Sequence, residues 1–272
     1  MIDASTSLYG LIGNPVAHSL SPVMHNQAFT ASDCNAVYLA FRVKDPGAAL
    51  KSIKALNVKG LSVTLPHKVA VMEYLDEIDP TAAKIAAVNT IVNRNGKLIG
   101  YNTDCRGAID ALQTRTTIDG KSVAIIGAGG AARAIGFGLM AAAKRLTILN
   151  RTPKTGEQLA DDLQADFLPL AECQTNRYDI LINTTPVGMH PLTDATPIAK
   201  QALSEKMVVM DIVYNPLNTR FLNEASDSGC RTITGLDMFV FQGAHQFELW
   251  TGKKAPVEVM REAVLQALQT KF

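Results

Sequence analysis

The chain has 272 residues, of which 47% are hydrophobic and 19% are charged, so its composition is that of a globular protein with a sizeable core. Its length suits one large domain or two ordinary ones. A formal net charge of +1 and an aromatic content of 6% argue against a nucleic-acid-binding protein, which would need a basic surface or stacking side chains.

Strands and helices alternate along the first part of the chain. The first predicted strand, residues 8–13, is followed by a helix over residues 21–31, with Ser21 as N-cap and Pro22 at the first helical position. Asn95-Gly96 is a strong signal for a type I′ hairpin turn. The other elements predicted in this part are strands over residues 37–41, 60–64, 89–93 and 97–101 and helices over residues 46–56, 68–74 and 81–87.

A second series of strands and helices follows residue 120. The strands predicted in it are residues 122–126, 145–149, 180–183, 207–212 and 232–234, and a last helix covers residues 257–268. This alternation indicates an α/β fold with mostly parallel sheets covered on both faces, to which the hairpin adds an antiparallel piece.

We expect two domains. The first is an α/β substrate-binding domain of residues 1–104, completed by the carboxyl-terminal residues 243–272, and the second is a Rossmann-like domain of residues 105–242.

The cysteines give little support to a disulfide framework or a zinc site, because they lie far apart with no CxxC spacing and no histidine pair nearby. The amino-terminal residues lack the basic and apolar segments of a signal peptide, and the most apolar stretch, residues 134–143, is too short to span a bilayer. We therefore expect a cytoplasmic protein with no metal site and no association with membranes.

A glycine-rich turn marks a candidate nucleotide site. Residues 127–132, GAGGAA, directly follow an apolar strand and open an apolar helix. Gly127 permits the tight turn, Gly129 lets backbone N–H groups approach a pyrophosphate, and Ala132 permits close packing of helix on strand. The alternative is that the glycines are required only for packing at the turn, but the strand before it and the helix after it favour nucleotide binding. The predicted contacts are Gly127, Ala128, Gly129, Gly130 and Ala131.

The end of the next strand bears on the choice between NAD and NADP. An NAD site usually places Asp or Glu there, about 20 residues beyond the glycine turn, to bind the ribose 2′-hydroxyl. This chain offers Asn150, Arg151, Thr152 and Lys154 instead. Two cations suit a 2′-phosphate, which an arginine can hold with two hydrogen bonds. The alternative is that Arg151 and Lys154 are merely solvated at the start of a helix. Cations are slightly unfavourable at that end of a helix, so the sequence favours NADP.

Four polar clusters lie at or just after strand ends of the predicted first domain, within residues 18–22, 64–68, 88–90 and 102–104. Taken singly, each has a structural explanation, because a serine or aspartate can cap a helix and a lysine can be solvated. Taken together, they lie where open α/β sheets bind ligands. Hydroxyl and carboxamide groups suit a polyhydroxylated ligand, and Lys68 suits proton transfer at a carbonyl or alkoxide oxygen. His18, His25 and His67 are expected to be structural or peripheral.

Motifs distributed over nearly the whole chain resemble, in the same order, those of the shikimate dehydrogenase family. They are GNPVAHSLSPVMHN (13–26), SVTLPHK (62–68), AVNT (87–90), GYNTDCRG (100–107), GAGGAARA (127–134), NRT (150–152), NTTPVGM (183–189), DIVYNP (211–216) and GLDMFVFQGA (235–244). The resemblance implies two α/β domains, with substrate in the first and NADP in the second. It also implies reversible, NADPH-dependent reduction of 3-dehydroshikimate to shikimate in aromatic amino-acid biosynthesis.

The resemblance also implies roles for individual residues. Lys68 and Asp104 match the catalytic pair, with Lys68 as general acid and base. The substrate contacts are Ser19, Ser21, Ser62, Thr64, Asn89, Tyr214 and Gln242. The further cofactor contacts are Asn150, Arg151, Thr152, Lys154, Gly235 and Met238. At Ser62 the family usually has Asn, so a bridging water is our hypothesis for that contact. Asp237, Phe239 and Thr155 also depart from the usual pattern.

Two alternatives remain open. The first is a relative that prefers quinate or accepts NAD, although Ser19 and Thr64 favour shikimate. The second is a non-catalytic NADP-binding sensor, which would be expected to lose the pair formed by Lys68 and Asp104. We expect a small-molecule substrate and no nucleic acid, and a homodimer is an open alternative for the assembly state.

Overall fold

The computed structural model describes residues 2–173 and 177–270, which divide into two compact units. Unit 1 comprises Met1–Thr103 together with Gln242–Phe272, and unit 2 comprises Asp104–Phe241. Within the described ranges, no helix has the length and hydropathy needed to cross a membrane.

The elements alternate as expected for an α/β chain. The strands are β1 (Ser7–Gly13), β2 (Ala36–Arg42), β3 (Gly60–Val63), β4 (Glu77–Ile78), β5 (Thr90–Arg94), β6 (Lys97–Tyr101), β7 (Ser122–Ile126), β8 (Arg145–Asn150), β9 (Asp166–Pro169), β10 (Ile180–Asn183), β11 (Val208–Asp211) and β12 (Arg231–Ile233). The helices are α1 (Ser21–Ala31), α2 (Pro46–Ala55), α3 (Pro80–Ile85), α4 (Asp104–Gln113), α5 (Gly130–Leu139), α6 (Pro153–Leu163), α7 (Arg220–Asp227), α8 (Gly235–Thr251) and α9 (Val257–Thr270). Short 3₁₀ turns cover Ala70–Tyr74, Leu170–Glu172 and Lys200–Ala202.

Unit 1 contains a mixed six-stranded sheet in the order β2-β1-β3-β5-β6-β4. β1 pairs in parallel with β2 and β3, whereas β5 pairs antiparallel with β3 and β6. The predicted hairpin is confirmed: Asn95 and Gly96 both have positive φ, 54° and 90°, as a type I′ turn requires. Among the candidate substrate residues, Ser19 and Ser21 follow the carboxyl end of β1, Thr64 follows that of β3, and Asn89 directly precedes β5.

Unit 2 contains a six-stranded parallel sheet in the order β12-β11-β10-β7-β8-β9. This is the strand order of a doubly wound dinucleotide-binding fold. Successive residues of β7 pack into different hydrophobic clusters, Val123 and Ile125 into one and Ala124 and Ile126 into the other. The sheet is therefore buried on both faces, which explains why its strands are continuously apolar. The predicted α/β fold class is confirmed.

Some local predictions were wrong. Ser21 is the first residue of α1 and not its N-cap, which is Leu20, and no side-chain hydrogen bond caps that end. The predicted helix over residues 68–74 is a 3₁₀ turn, Ala70–Tyr74. β4 and β9 were missed: β4 is an edge strand of only two residues, and the apolar run of the edge strand β9 contains Pro169, which argues against a strand.

An aromatic cluster in unit 1 joins the sheet to its helices. Trp250 on α8 lies with its ring centroid 5.4 Å from that of Tyr9 on β1 and 5.1 Å from that of His25 on α1. Its indole Nε1–H donates a 3.0 Å hydrogen bond to the Ile91 carbonyl on β5. Gly60 is required beneath this ring, because a Cβ there would overlap the indole nitrogen.

We expect Gly60→Ala to lower the free energy of unfolding by about 1–3 kcal/mol, because the added methyl must displace a packed indole ring. Urea unfolding would measure the loss. Gly130→Ala is the control: it is the first residue of α5, and a Cβ there meets no atom within 4 Å, so this variant should be no less stable than wild type. Equal stability of the two variants would contradict the prediction.

Candidate active site

Thr64 and Lys68 follow β3 in a loop that backbone hydrogen bonds hold at both ends. The Thr64 N–H donates to the Ile12 carbonyl at 3.0 Å, and the Lys68 carbonyl accepts from the Val88 N–H at 2.8 Å. A Cβ at residue 13 would overlap the Thr64 methyl group, so Gly13 permits this close approach. Both side chains are half-buried. The loop therefore presents a hydroxyl and an amine from a fixed backbone.

Ser19 and Ser21 form a hydroxyl pair at the start of α1. The Ser19 hydroxyl donates to the Ser21 hydroxyl at 3.2 Å, and the Ser21 N–H donates to Ser19 Oγ at the same distance. Ser21 is buried. The hydroxyl of Ser21 is therefore held by Ser19 within unit 1.

Four buried side chains of unit 1 form a chain of hydrogen bonds. The Tyr38 hydroxyl donates to Ser62 Oγ at 2.7 Å, and Ser62 Oγ donates to Gln246 Oε1, also at 2.7 Å. Gln246 Nε2 then donates to Thr90 Oγ1 at 3.0 Å and to the Asn89 carbonyl at 3.3 Å. We call Tyr38, Ser62, Gln246 and Thr90 the buried relay.

Asn89 stands at the end of the buried relay. Its Oδ1 accepts hydrogen bonds from the Thr90 hydroxyl at 2.7 Å and from the Thr103 N–H at 2.8 Å. Its Nδ2 donates to Thr103 Oγ1 at 3.0 Å. These partners distinguish the oxygen from the nitrogen of the amide, so its orientation is determined by the protein.

His25 lies against the buried relay. The ring is fully buried, stacks on Tyr38 with centroids 4.6 Å apart, and places Nε2 3.3 Å from Gln246 Oε1. Burial lowers the pKa of His25 to about 3, and the hydrogen bond to Gln246 only partly opposes this shift. His25 is therefore neutral, with Nε2–H as donor, because a carbonyl oxygen can only accept.

The glycine turn of unit 2 has the features of a phosphate cradle. Gly127 has φ of +109°, and its N–H donates to the Leu149 carbonyl at 2.8 Å, which sets the turn beside the end of β8. A Cβ at Gly129 or Gly130 would meet no atom within 4 Å, and no side chain caps the amino end of α5. The backbone N–H groups of that end therefore face open space, where a pyrophosphate fits.

The loop after β8 presents cations beside this turn. Asn150 Nδ2 donates to the Thr152 carbonyl and to Thr155 Oγ1, each at 2.9 Å, which fixes the loop backbone. Arg151 and Lys154 are exposed, and neither forms a hydrogen bond or ion pair with the residues that the structure describes. Both cations can therefore turn toward a 2′-phosphate without breaking an existing pair. Thr155, which departs from the usual family pattern, has a structural role in this loop.

Asp211 at the end of β11 organises the neighbouring loops, a role that the sequence did not reveal. Its carboxylate accepts hydrogen bonds from Asn183 Nδ2 at 3.0 Å, Thr219 Oγ1 at 2.7 Å and the Val213 N–H at 3.0 Å. Burial raises the pKa of Asp211 to about 6, and the three hydrogen bonds oppose that shift. The carboxylate thereby holds the loop that carries Tyr214.

The other predicted site residues are distributed over both units. Asp104 is buried as the first residue of α4, where the helix dipole favours an acid. Tyr214 stacks on Phe239 with centroids 4.8 Å apart. Gln242 lies in the part of α8 that belongs to unit 1. Met238 is buried in the apolar core of unit 2.

Asp237 and Gly235 shape the start of α8. The Asp237 carboxylate accepts from the Thr234 N–H at 3.2 Å and from its hydroxyl at 3.0 Å, as in a capping box. A Cβ at Gly235 would overlap the Ile212 carbonyl and the Val213 backbone. Both residues therefore have a structural role at the start of α8, in addition to the cofactor contact predicted for Gly235.

The sequence missed Tyr38, Thr90, Thr103 and Gln246. Thr90 and Thr103 stand within quoted motifs, next to Asn89 and Asp104, and Gln246 lies one helical turn beyond Gln242 on α8. That spacing places it on the same helical face. No cluster of His, Cys, Asp or Glu suited to a metal ion is found among residues 2–173 and 177–270.

Comparison with known proteins identifies the family. Residues 11–91 match the profile of the shikimate dehydrogenase substrate binding domain, residues 110–224 match that of shikimate / quinate 5-dehydrogenase, and residues 235–265 match that of the shikimate 5′-dehydrogenase C-terminal domain. The chain belongs to the shikimate dehydrogenase family. The family predicted from the sequence motifs is thus confirmed.

Individual relatives match over nearly the whole chain. A shikimate dehydrogenase (NADP(+)) of Geobacillus kaustophilus is 46% identical over 96% of this chain and 99% of its own length. A crystal structure of a shikimate dehydrogenase in complex with NADP⁺ is 43% identical, with a TM-score of 0.95 and 98% of each chain covered. The Thermus thermophilus enzyme, in complex with NADP(H) and shikimate, is 35% identical, with a TM-score of 0.91, over 96% of this chain and 100% of that one.

We expect His25 to make stability depend on pH. Its pKa is depressed on folding from the ordinary 6.5 to about 3, so its contribution to stability is present above pH 6.5 and is lost as the pH falls toward 3. Asp211, whose pKa is raised, contributes the opposite slope over part of this range. The difference in unfolding free energy between wild type and His25→Phe, measured at each pH, gives the contribution of His25.

This difference in unfolding free energy should change by at most about 1.4 kcal/mol per pH unit between pH 6 and 4, as measured by urea unfolding. His18→Gln, at an exposed histidine, is the control and should keep the wild-type slope. A His25→Phe variant whose slope equals that of wild type would show that His25 is not held neutral.

Proposed function

We propose that this protein is an NADP-dependent shikimate dehydrogenase that interconverts 3-dehydroshikimate and shikimate. The observation that carries the proposal is 46% identity over nearly the full length to an enzyme of that name. The geometry agrees with it, because unit 1 gathers hydroxyls, a carboxamide and an amine beside one sheet, while unit 2 has an open glycine turn flanked by cations.

We assign the acid–base catalysis to Lys68 and Asp104. NADPH, when bound, supplies the hydride that the ketone carbon of 3-dehydroshikimate receives. Protonated Lys68 donates a proton to the ketone oxygen as that oxygen gains negative charge, and in the reverse direction neutral Lys68 accepts the hydroxyl proton. Asp104 orients the lysine and hydrogen-bonds the substrate.

The substrate contacts are assigned to the polar groups of unit 1 and to Tyr214. The hydroxyls of Ser19 and Ser21 suit the substrate carboxylate, and Thr64, Asn89 and Gln242 suit its hydroxyl groups. Ser62 has its hydroxyl hydrogen committed to Gln246, so it can offer a ligand or a water molecule only an acceptor.

The cofactor is assigned to unit 2. The backbone N–H groups of residues 127–131 and of the first turn of α5 would hold the pyrophosphate. Asn150, Arg151, Thr152 and Lys154 would hold the 2′-phosphate, and Gly235 and Met238 would lie near the nicotinamide. Cytoplasmic location, the homodimer and the absence of a nucleic-acid partner stay predictions from the sequence.

Initial rates with shikimate or quinate and NADP⁺ or NAD⁺ test the activity. We expect shikimate with NADP⁺ to give the largest kcat/KM, because the serine pair, Thr64 and the basic loop are all present. A larger kcat/KM for quinate or for NAD⁺ would support the broader-specificity alternative. The non-catalytic sensor would bind NADPH but would not oxidise it with 3-dehydroshikimate.

Lys68→Ala tests the catalytic assignment. We expect kcat to fall about 10²- to 10⁴-fold, the usual share of general acid–base catalysis, while the Kd for shikimate stays within about threefold. Stopped-flow rates and calorimetric titration measure the two quantities. Lys84→Ala, at an exposed lysine of α3, is the control and should behave like wild type. Equal losses of shikimate affinity and turnover would refute a catalytic role for Lys68.

Arg151→Ala tests the choice of cofactor. Removing one cation from the 2′-phosphate should raise the KM for NADP⁺ about 10- to 100-fold and leave the KM for NAD⁺ nearly unchanged, because NAD⁺ lacks that phosphate. Arg145→Ala is the matched control, since that arginine is paired with Asp166 on the same sheet. Equal effects of Arg151→Ala on the two cofactors would contradict the assignment.

A further inference from the structure

Gln246 uses its whole side-chain amide inside unit 1. Oε1 accepts from Ser62 Oγ and from His25 Nε2, and Nε2 donates to Thr90 Oγ1 and to the Asn89 carbonyl. The residue is 2% exposed. A primary amide has two donor and two acceptor positions, so Gln246 has no capacity left for a ligand. Any effect it has on substrate must act through its partners.

The hydrogen bonds of the buried relay run in one direction. The single hydroxyl hydrogen of Tyr38 goes to Ser62, and that of Ser62 goes to Gln246 Oε1. Beyond Gln246, Thr90 receives a hydrogen bond and passes its own hydrogen to Asn89 Oδ1. Each hydroxyl thus has its orientation set by the group before it.

The chain of hydrogen bonds ends at Asn89, a residue assigned to substrate binding. The Asn89 side-chain oxygen accepts from Thr90 and from the Thr103 N–H, and its nitrogen donates to Thr103 Oγ1. Gln246 also donates directly to the Asn89 backbone carbonyl. Rotation of the Thr90 hydroxyl would remove one of the hydrogen bonds that hold the oxygen side of the Asn89 amide.

We propose that Gln246 is a positioning residue for substrate recognition: through Thr90 and the Asn89 backbone carbonyl it holds the Asn89 amide in the orientation that binds substrate. The inference rests on the proposed function, because Asn89 is assigned there to shikimate. It also gives Ser62 a role different from a direct substrate contact. Ser62 on β3 is 4% exposed and joins Tyr38 on β2 to Gln246 on α8.

A purely structural anchor is present nearby and shows the difference. Trp250, one turn farther along α8, donates to the Ile91 carbonyl and fastens the helix to β5 without touching any assigned substrate residue. Asn93 is a buried amide that donates to the Val58 carbonyl and accepts from the Gly96 N–H, each at 2.8 Å. Gln246 differs from both because its amide binds Ser62 and Thr90.

The isosteric change Gln246→Glu tests the proposal. It replaces the donor facing Thr90 by an acceptor, so the Thr90 hydroxyl turns its hydrogen toward the new carboxyl group and away from Asn89. We expect the KM for shikimate to rise about tenfold, the KM for NADP⁺ to stay unchanged, and kcat to fall less than KM rises. Asn93→Asp makes the same chemical change at a buried amide outside the site and should keep the wild-type KM.

Thr90 provides a second pair of variants in case Gln246→Glu does not fold. Thr90→Val removes the hydroxyl at constant shape and should raise the KM for shikimate similarly, whereas Thr90→Ser keeps the hydroxyl and should retain the wild-type value. Combining Thr90→Val with Gln246→Glu should add little to either single change, because both interrupt one path. Additive effects of the two changes, or an equal KM increase in Asn93→Asp, would overturn the proposal.

A readout without turnover separates this inference from the proposed function. In ¹H–¹⁵N spectra of the ligand-free protein, the Asn89 side-chain amide resonances should shift in Gln246→Glu and in Thr90→Val but not in Asn93→Asp. If the wild-type protein fails to oxidise shikimate with NADP⁺, the proposed function is refuted, but the spectra still test whether Gln246 positions Asn89. Unshifted Asn89 resonances in folded Gln246→Glu would refute the positioning.

Discussion

Burying a polar group without a hydrogen-bond partner costs about 1–3 kcal/mol. The buried side-chain amide of Gln246 in unit 1 avoids this cost, because both its oxygen and its nitrogen are hydrogen-bonded. Gln246 joins α8 to α1 through His25, to β3 through Ser62 and to β5 through Thr90. Since all four hydrogen bonds of the amide are made, the helix has one satisfactory position over the sheet. The surrounding aromatic rings exclude water, which strengthens these hydrogen bonds and raises the cost of breaking them.

The two units prepare their sites by different physical means. Unit 1 orients side-chain hydroxyls and amides with other buried side chains, as is suitable for a ligand with several hydroxyl groups. Unit 2 relies on backbone geometry: glycines leave the amino end of α5 open, and the Gly127 N–H fixes the turn beside β8. The buried carboxylate of Asp211, at the end of β11, holds the neighbouring loops through Asn183, Val213 and Thr219.

Much of this architecture could be predicted because the signals are local. The Asn95-Gly96 turn requires positive φ at both residues, and the glycine turn after β7 requires a strand before it and a helix after it. The N-cap assigned to Ser21 was wrong because a serine before proline is equally compatible with the first helical position. The edge strands β4 and β9 were missed because β4 has only two residues and the apolar run of β9 contains a proline.

The sequence by itself determined the α/β class, the family and the identity of the polar residues, since these depend on periodicity, turn chemistry and ordered motifs. Only the tertiary structure decided which polar groups are hydrogen-bonded to one another within the protein. Tyr38, Ser62 and Gln246 are far apart in the chain and meet because β2, β3 and α8 pack together. Hydrogen-bond capacity is a property of contacts in space, so the role of Ser62 could not be read from its neighbours in sequence.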